Sequence, residues 1–383
     1  TSLQPASQSV ETLRQIQRQH ADVFCLCDGA FDSLDLPRVD FPDLSALGLE
    51  AVAGIPDIPG ELVAVTVYTS GSTGLPMAHD KSWGALVRNA RAEASRLGLL
   101  DGARHTIVGT VPAQHMYGFE STVLLAMHGN SPFWSGKPFY PQDIVCALQA
   151  VPRPRLLVTT PFHLGTLLAA DLKLPTIGRL LSATAPLSRE LAVAAEARLA
   201  APLEEIYGCT ESGQLASRRL LVDAAWLPLD GVCLESDGDR IIASGGHIEG
   251  RVPLADALEL LPDGRFMLLG RNTDLISIAG KRSSLAYLDH QIRAIPGVVD
   301  GAFFQPDETS PQAIVRLCAF AVAPELSERQ LLARLRQRVD AVFLPRPLFR
   351  VESLPRNNTG KLPRAELQAL YESLRQKPRH APR

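Results

Sequence analysis

The chain has 383 residues, which is more than one ordinary hydrophobic core accommodates, so two or three domains are expected. Its composition, 46% hydrophobic and 21% charged residues, is typical of a globular enzyme, and it contains neither a membrane-length apolar run nor a signal pattern. We therefore predict a soluble cytoplasmic protein without a membrane span. The six cysteines form no CxxC pair, which argues against a zinc cage or a disulfide framework.

The charge is unevenly distributed along the chain. Residues 275–383 contain 17 Lys and Arg against 10 Asp and Glu, a net charge of +7, which leaves −10 for the remainder. A basic segment favours an anionic partner such as a nucleotide, coenzyme A or an acidic carrier protein, although a solvated charged surface explains the same count. We predict no nucleic-acid partner, because the basic residues are not interleaved with aromatic residues.

In chain order, residues 1–60 predict a short helix followed by a Pro-rich, loop-like segment, after which strands and helices alternate. The predicted strands are 63–68, which we expect to be buried, 106–111, 156–159, 180–182 and 203–207, and the helices between them include 83–97 and 189–199. This alternation predicts an α/β fold with substantial parallel pairing.

The pattern changes at residue 237 to short strands separated by turns, and it changes again after residue 271. The last section predicts helices 285–294 and 328–339 and strands 301–305 and 313–321. We therefore predict a first lobe over residues 1–271 and a small α+β lobe over residues 272–383.

A loop rich in Ser, Thr and Gly follows the first strand of the alternating part. It reads YTSGSTGLP at residues 68–76. Its hydroxyl and backbone N–H groups can surround an anion, and its glycines allow a phosphate to approach the backbone. The loop is not a P-loop, because no Gly-Lys-Ser follows. For such a string alone, a flexible turn is the alternative.

Five further strings follow this loop in order. They are VPAQHMYG at 111–118, SATAPL at 182–187, YGCTE at 207–211, GRNTD at 270–274 and PRNNTGKLPR at 355–364. Together with the loop they span roughly residues 61–368. They resemble the motifs of the adenylate-forming superfamily, which includes acyl-CoA synthetases, aryl acid ligases, luciferases and peptide-synthetase adenylation domains.

The resemblance implies activation of a carboxylic acid as its acyl-adenylate, with ATP and Mg²⁺ as cofactors. It implies a large N-terminal lobe of mixed or parallel sheets with helices, shortened at its N-terminus. It also implies a small mobile α+β C-terminal lobe that carries the catalytic lysine.

The same resemblance assigns the nucleotide contacts. Catalytic roles fall on Thr210, Glu211, Arg271 and Lys361, and Glu211 and Thr73 are expected to hold Mg²⁺. Lys361 would neutralise the charge that develops when the carboxylate attacks the α-phosphate. The residues expected to bind ATP or AMP are Thr69, Ser70, Gly71, Ser72, Thr73, Gly74, Ala183, Thr184, Ala185, Tyr207, Gly208 and Asp256. Each of three side chains has an alternative role: Tyr207 as a core tyrosine, Arg271 as a turn arginine and Lys361 as a solvated tail lysine.

The string at 111–118 corresponds to the acyl pocket of the family. His115, Tyr117, Phe119 and Ser182 are expected to line it, and their polar and aromatic character favours an aryl acid over a long alkyl chain. A packing or surface histidine is the alternative for His115.

The sequence departs from the family pattern at two positions. Met77 stands where the phosphate loop normally ends in lysine, and Lys81 is close enough in sequence to substitute for that cation. Thr273 stands at the hinge pivot, where Asp or Lys is usual, and Gly280 lies in the loop expected to meet pantetheine.

The short segments before the phosphate loop and between Glu211 and Arg271 resemble those of a compact member. They are similar to the hydroxybenzoate:acyl-carrier-protein ligases of xanthomonadin and aryl polyene pigment clusters. This implies an aromatic carboxylic acid, such as 3- or 4-hydroxybenzoate, and an acyl carrier protein with phosphopantetheine. Free coenzyme A is the alternative acceptor. A non-catalytic acyl- or nucleotide-binding relative is the alternative from another class.

Overall fold

The computed structural model describes most of the chain as two compact units. It describes residues 14, 17–18, 24–27, 37–41, 56–70, 76–102, 104–238, 240–271, 275–278, 281–306, 317–356 and 362–376. The first unit comprises the described residues of Thr1–Ser236, Ile242–Pro253 and Leu261–Arg265, and the second those of Asp237–Ile241, Leu254–Leu260 and Phe266–Arg383. Within these residues no helix has the length and apolar character that crossing a bilayer requires. Most of the helix and of the loop-like segment predicted for residues 1–60 lies outside the described residues.

Strands and helices alternate as far as residue 218. The strands up to residue 253 are β1 (Cys25–Cys27), β2 (Arg38–Asp40), β3 (Val63–Ser70), β4 (Pro76–Ser82), β5 (Thr106–Gly109), β6 (Arg155–Thr159), β7 (Arg179–Ser182), β8 (Leu203–Cys209), β9 (Gly213–Arg218), β10 (Leu227–Pro228), β11 (Val232–Asp237), β12 (Arg240–Gly245) and β13 (Ile248–Pro253). The helices are α1 (Trp83–Arg96), α2 (Met116–Gly118), a π-helix (Phe119–Leu124), α3 (Leu125–His128), α4 (Pro141–Ala150), α5 (Pro161–Ala169) and α6 (Arg189–Leu199). The strands and helices predicted between residues 63 and 207 are confirmed, with small shifts at their ends.

A six-stranded sheet forms the centre of the first unit. Its strand order is β10-β9-β8-β7-β6-β5, in which β5 to β8 run parallel and β9 and β10 are antiparallel additions. The remaining strands of this part form the parallel pair β1-β2, the hairpin β3-β4 and the three-stranded sheet β11-β12-β13. The predicted parallel pairing is confirmed.

The central strands are buried on both faces. In β6, Leu156, Leu157 and Val158 are fully buried, which is typical of a parallel strand covered by helices on both sides. Leu157 packs in one core with Leu148 of α4, whereas Leu156 and Val158 pack in another with Ala94 of α1. The alternation follows from the period of two in a β-strand.

The hairpin β3-β4 leads directly into α1. Ser70 lies opposite Pro76 in the register, so the hairpin brackets residues 71–75, which are outside the described part. The expectation of a buried first strand is wrong, because β3 pairs only with β4 and its described residues from 64 to 68 are half-buried. The hydroxyl of Ser82 accepts a hydrogen bond from the Ala85 N–H and thereby caps α1.

The second unit contains short antiparallel pairs and a small three-stranded sheet. Its remaining strands are β14 (Asp256–Leu260), β15 (Phe266–Arg271), β16 (Leu275–Ile278), β17 (Lys281–Ser284), β18 (Asp300–Phe304), β19 (Cys318–Val322) and β20 (Leu348–Arg350). Its helices are α7 (Leu285–Arg293), α8 (Glu328–Leu335), a 3₁₀ turn (Ala341–Phe343) and α9 (Arg364–Gln376). β14-β15 and β16-β17 are pairs, and β18-β19-β20 form the sheet. Leu288, Phe303 and Leu331 are at the centre of its core.

The sequence predicts most of these elements. The helix predicted at 328–339 ends at Leu335, because the Arg338 N–H bonds back to the Leu335 carbonyl (2.9 Å), which tightens the chain into a turn. The strand predicted at 313–321 begins at Cys318, and residues 313–316 of that prediction are outside the described part. The α/β fold class is confirmed. The division at 271/272 and the mobility of the C-terminal lobe stay predictions.

Candidate functional site

Three of the predicted strings, at 111–118, 182–187 and 207–211, lie at or just after the carboxyl ends of parallel strands in the first unit. β5 ends at Gly109, β6 at Thr159, β7 at Ser182 and β8 at Cys209, so the loops that follow them share one edge of the sheet. The hydroxyls of Thr110 and Thr159 lie 3.0 Å apart across two of these strand ends. Ligands of open α/β sheets bind outside this edge, which makes it the candidate site.

The loop after β7 contains a β-branched residue in the left-handed region. Thr184 has a φ of 79° and is exposed, between buried Ala183 and exposed Ala185. This conformation costs on the order of 1–3 kcal/mol for a non-glycine residue, and such strain is concentrated at binding sites. The role of Ala183, Thr184 and Ala185 in binding ATP or AMP stays a prediction.

The turn from β8 to β9 contains the YGCTE string. Gly208 is required there, because a Cβ at this position would lie 2.3 Å from the Gly213 carbonyl oxygen. Thr210 and Glu211 follow in the turn, where Thr210 is half-buried and Glu211 is exposed. Tyr207 is buried, and its ring lies 5.7 Å from that of Trp226. The role of Tyr207 in binding ATP or AMP stays a prediction.

Glu211 lies beside two basic side chains of β4. The Lys81 Nζ donates to the Glu211 backbone carbonyl (2.7 Å), and the His79 Nε2 lies 3.9 Å from the Glu211 carboxylate. Burial raises the pKa of Glu211, but hydrogen bonds from the backbone and Cys209 and the charges of His79 and Lys81 outweigh it, so the pKa is lowered. Glu211 is therefore ionised at neutral pH.

Lys81 is the cation that the sequence offered in place of a lysine at position 77. Its side chain is only 8% exposed, whereas Met77 is 56% exposed. Burial lowers the pKa of Lys81, and the neighbouring carboxyl groups of Glu120, Glu211 and Glu249 act in the opposite direction. The structure thus brings an ammonium group to the YGCTE turn.

The residues at this turn fit a magnesium ion held together with a nucleotide. Mg²⁺ is usually bound by one or two carboxylates plus phosphate oxygens, and Glu211 supplies one ionised, accessible carboxylate. Within the described part of the chain, no group of three or more His, Cys, Asp and Glu side chains could hold a metal by itself. The second predicted ligand, Thr73, is outside that part.

Three of the four predicted acyl-pocket residues lie in the segment after β5, and the fourth lies at the end of β7. His115 is exposed, and the Tyr117 hydroxyl donates to the carbonyls of Thr159 (3.1 Å) and Leu181 (3.2 Å). Phe119 packs on the small core that contains Leu86. Ser182, at the end of β7, is fully buried, and its hydroxyl has no hydrogen-bond partner in the described part of the chain. Their role in binding an acid stays a prediction.

A polar cavity of about 90 Å³ lies between β4, α1, the π-helix region and the YGCTE turn. Lys81, Asn89, Glu120, Glu211 and His247 all line it. Burial is the main cause that lowers the pKa of His247 to about 4, so its ring is neutral at pH 7. Three of these residues, Asn89, Glu120 and His247, were not predicted from the sequence.

Two of the three missed residues belong to a buried polar network. Asn89 Nδ2 donates to the Glu120 carboxylate, the Ser121 hydroxyl donates to Glu93 (2.6 Å), and Gln214 Nε2 donates to the Ser121 hydroxyl (2.9 Å). Burial raises the pKa of Glu93 to about 7, and burial followed by the charge of Glu93 raises the pKa of Glu120 well above its ordinary value. Polar residues on the apolar face of helix 83–97 were the signal in the sequence.

In the second unit, two of the predicted site residues, Asp256 and Arg271, are paired. Asp256 opens β14 and lies directly opposite Arg271, the last residue of β15. The preceding Gly270 has a φ of 120°, and a Cβ there would lie 2.5 Å from the Ser284 hydroxyl, so the strand end requires glycine. The backbone thus brings Asp256 and Arg271 together, as a shared ligand requires, and their role stays a prediction.

The structure does not describe several predicted site residues. Gly71, Ser72, Thr73, Gly74, Thr273, Gly280 and Lys361 lie outside the described part, as do the side chains of Thr69, Ser70 and Arg271. Their roles stay predictions.

Comparison with known proteins identifies relatives over most of the chain. The model of the family described as AMP-binding enzyme matches residues 11–233. A 4-coumarate–CoA ligase of Rhodobacter capsulatus is 29% identical over 320 residues, covering 79% of each chain. A 4-chlorobenzoate–CoA ligase of Pseudomonas sp. is 23% identical over 392 residues, covering 86% of this chain and 72% of the relative.

Solved structures agree with the fold. O-succinylbenzoate coenzyme A synthetase from Bacillus subtilis, in complex with AMP, superposes with a TM-score of 0.74 at 19% identity, covering 94% of this chain and 81% of that one. The same enzyme has been solved with ATP and a magnesium ion, and it matches with a TM-score of 0.73 at 20% identity. At the level of the matched family, the prediction of ATP and Mg²⁺ as cofactors is confirmed. The ordered strings, the sheet-edge geometry and the family match agree, and the chain belongs to the AMP-binding enzymes, the adenylate-forming family that its motifs resemble.

Proposed function

We propose that this enzyme activates an aromatic carboxylic acid, with 3- or 4-hydroxybenzoate as the best candidates, to its acyl-adenylate and then transfers the acyl group to a phosphopantetheine thiol. The observation that carries the proposal is the ionised Glu211 beside buried Lys81 at the carboxyl edge of the sheet. Relatives named as 4-coumarate and 4-chlorobenzoate ligases support an aromatic acid.

The first step is an in-line displacement at the α-phosphorus of ATP. The carboxylate oxygen of the acid forms the new P–O bond, and pyrophosphate leaves with the electrons of the old one. Such a reaction depends on positioning and charge neutralisation rather than on acid–base chemistry. Glu211 would hold Mg²⁺, Thr210 would contact the α-phosphate, and Lys361 would neutralise the developing charge.

The second step is attack of a thiolate sulfur on the adenylate carbonyl, with AMP as the leaving group. We propose an acyl carrier protein as the acceptor, in a pathway of the pigment or polyketide type. The net charge of +7 in residues 275–383 supports an acidic protein partner, because complementary charge accelerates association. Free coenzyme A is the alternative, and the names of the relatives favour it.

A non-catalytic binding relative is the alternative from another class. The loss of the loop lysine at Met77 favours it. The position of Lys81 argues against it, because a buried ammonium group at the YGCTE turn could take the place of the loop lysine. Retention of Glu211 and Lys361 also supports an enzyme.

Pyrophosphate exchange into ATP, measured over a panel of aromatic and aliphatic acids, tests the proposal. We expect exchange with hydroxybenzoates, and we expect Glu211→Gln to abolish it. Glu235→Gln, the same change in an exposed ion pair with Arg251, is the matched control and leaves the exchange intact. Absence of exchange across the whole panel would support the non-catalytic alternative.

A further inference from the structure

Helix α1 carries two polar residues one turn apart on a buried face. Asn89 and Glu93 are at most 2% exposed, and so are Glu120, Ser121 and Gln214, which pack against them from the π-helix and from β9. Residues four apart in a helix share a face, so α1 presents both polar groups to the same neighbours. We call these five residues the acceptor cluster.

The acceptor cluster has more hydrogen-bond acceptors than donors. Its internal bonds use the amide N–H groups of Asn89 and Gln214 and the hydroxyl of Ser121. Among the described residues, Asn89 Oδ1, Glu93 Oε2 and Gln214 Oε1 find no hydrogen-bond partner. Asn89 Oδ1 and Gln214 Oε1 are amide oxygens, which can only accept, and Glu93 Oε2 accepts when its carboxyl group is ionised. Buried acceptors without a donor cost free energy, so the cluster is incomplete by itself.

The cluster opens into the polar cavity through Asn89 and Glu120, which line it. Leu86 and Met116 supply apolar wall on the same cavity. Its volume of about 90 Å³ accommodates roughly six to nine water-sized groups, about the size of a small substituted ring. An apolar wall with a few convergent polar groups is the usual form of a small-molecule site.

We propose that the acceptor cluster is a specificity site that binds a hydrogen-bond-donating substituent, a hydroxyl or an amino group, on the ring of the acid. Asn89 Oδ1 and the Glu120 carboxylate receive the donor, and Glu93, Ser121 and Gln214 hold them in place. The identity of the ligand as an acid rests on the proposed function, whereas the preference for a donor rests on the cluster alone.

The electrostatics of the cluster agree with this assignment. Burial is the main cause that raises the pKa of both carboxyl groups, and their mutual repulsion adds to the effect at Glu120. The raised pKa values reflect burial with a shortage of donors, and a donor that enters the cavity favours the ionised form of Glu120 by a charge-assisted hydrogen bond and so opposes the rise. A methoxy group or a halogen supplies no such donor. Water that fills the cavity as a purely structural network is the competing explanation.

Binding of small neutral probes to the full chain tests the donor preference without turnover. Phenol, aniline, anisole and toluene have similar sizes and differ in their donors, and their affinities are measured by calorimetry or by ligand-observed NMR. We expect phenol and aniline to bind about 10- to 100-fold more tightly than toluene and anisole, the range for a hydrogen bond to a charged acceptor. Equal binding of all four probes overturns the proposal.

Two substitutions test whether Asn89 and Glu120 cause the preference for a donor. Asn89→Leu removes the unpaired oxygen with little change in volume, and Glu120→Gln replaces a carboxylate oxygen by an amide donor. Each is expected to reduce the ratio of phenol to toluene affinity to about threefold or less, since the donor loses its acceptor. Glu235→Gln, on the surface, is the control and keeps the ratio. If circular dichroism shows that both variants fold and both keep the original ratio of phenol to toluene affinity, the cluster does not cause the preference for a donor.

The acid panel separates this inference from the proposed function. Exchange with benzoate that equals exchange with 3- and 4-hydroxybenzoate overturns the specificity site while the proposed function stands. Absence of exchange with every acid, together with tight binding of phenol, overturns the proposed function while the acceptor cluster stands.

Discussion

At the scale of single residues, Lys81 is the candidate to replace the cation that the phosphate loop lacks at Met77. The ammonium reaches the YGCTE turn from β4 rather than from the end of the phosphate loop, and it is buried with three carboxyl groups near it. Burial of an ammonium group costs free energy unless nearby charges compensate it. The burial of Lys81 therefore distinguishes it from an ordinary solvated surface lysine. We infer that Lys81 supplies charge to the nucleotide site.

This inference predicts the effect of Lys81→Met. The loss of one charge-assisted contact is expected to raise the KM for ATP in pyrophosphate exchange by about 10- to 100-fold. Lys137→Met, at an exposed position, is the control with the same chemical change. Met77→Lys in the Lys81→Met background should recover part of the loss. An unchanged KM for ATP in Lys81→Met contradicts the role.

Glu93 predicts a specific dependence of stability on pH. Its pKa in the folded chain is raised to about 7 from an ordinary value of 4.5, with burial as the main cause and with Glu120 and Tyr117 facing it. Between these values the folded chain keeps a proton that the unfolded chain has lost. The contribution of Glu93 to the free energy of unfolding therefore falls as pH rises through this window, by about 3 kcal/mol in total.

The measurement is chemical denaturation of the wild type and of Glu93→Gln between about pH 5 and about pH 8. Because glutamine does not titrate, the wild type should lose about 3 kcal/mol relative to the variant across this range. Parallel stability profiles of the two proteins would show that Glu93 titrates normally.

At the scale of elements, the β8–β9 turn depends on a close approach of two backbones. Gly208→Ala places a Cβ 2.3 Å from the Gly213 carbonyl, so the register of β8 against β9 must shift and carry Thr210 and Glu211 with it. We expect at least a tenfold loss of pyrophosphate exchange, because a small misplacement of the reacting groups is costly. Gly165→Ala, in α5 with open space around its Cβ position, is the matched control and should stabilise the protein by about 0.5–1 kcal/mol. Normal exchange in Gly208→Ala would contradict the importance of the turn.

The sequence predicts elements better than it predicts cavities. Alternating apolar runs identified β5 to β8 and α1, because period and turn residues are local properties. Asn89, Glu93 and Glu120 were not predicted as site residues, because their cluster combines side chains of α1, the π-helix and β9. These segments meet only in the fold. The half-buried state of β3 was missed for the same reason, since strand partners are not local information.

At the scale of the whole molecule, the two half-reactions should respond differently to one substitution. Lys361→Ala is expected to reduce adenylate formation by about 100-fold or more, since one preformed charge contact to the transition state is lost. Transfer of the acyl group from preformed adenylate to a thiol should persist. Equal loss of both half-reactions would contradict the role assigned to Lys361.

The acceptor is a second property of the whole chain. If residues 275–383 bind an acidic carrier protein, the rate of acyl transfer to it should fall steeply as ionic strength rises, because screening weakens charge complementarity. Transfer rates to a phosphopantetheinylated carrier protein and to coenzyme A, compared over a salt series, make the test. Preferred transfer to coenzyme A at all salt concentrations would favour the alternative acceptor.

The order of strands in the central sheet bears on how the protein can fold during its synthesis. From β5 to β10 every strand pairs with its immediate predecessor along the chain, so no strand has to wait for a partner that lies further towards the C-terminus. A strand whose first partner has been synthesised before it can join the sheet while the chain is still leaving the ribosome. The sheet that bears the YGCTE turn can therefore assemble strand by strand during translation, before the residues of the second unit have been added.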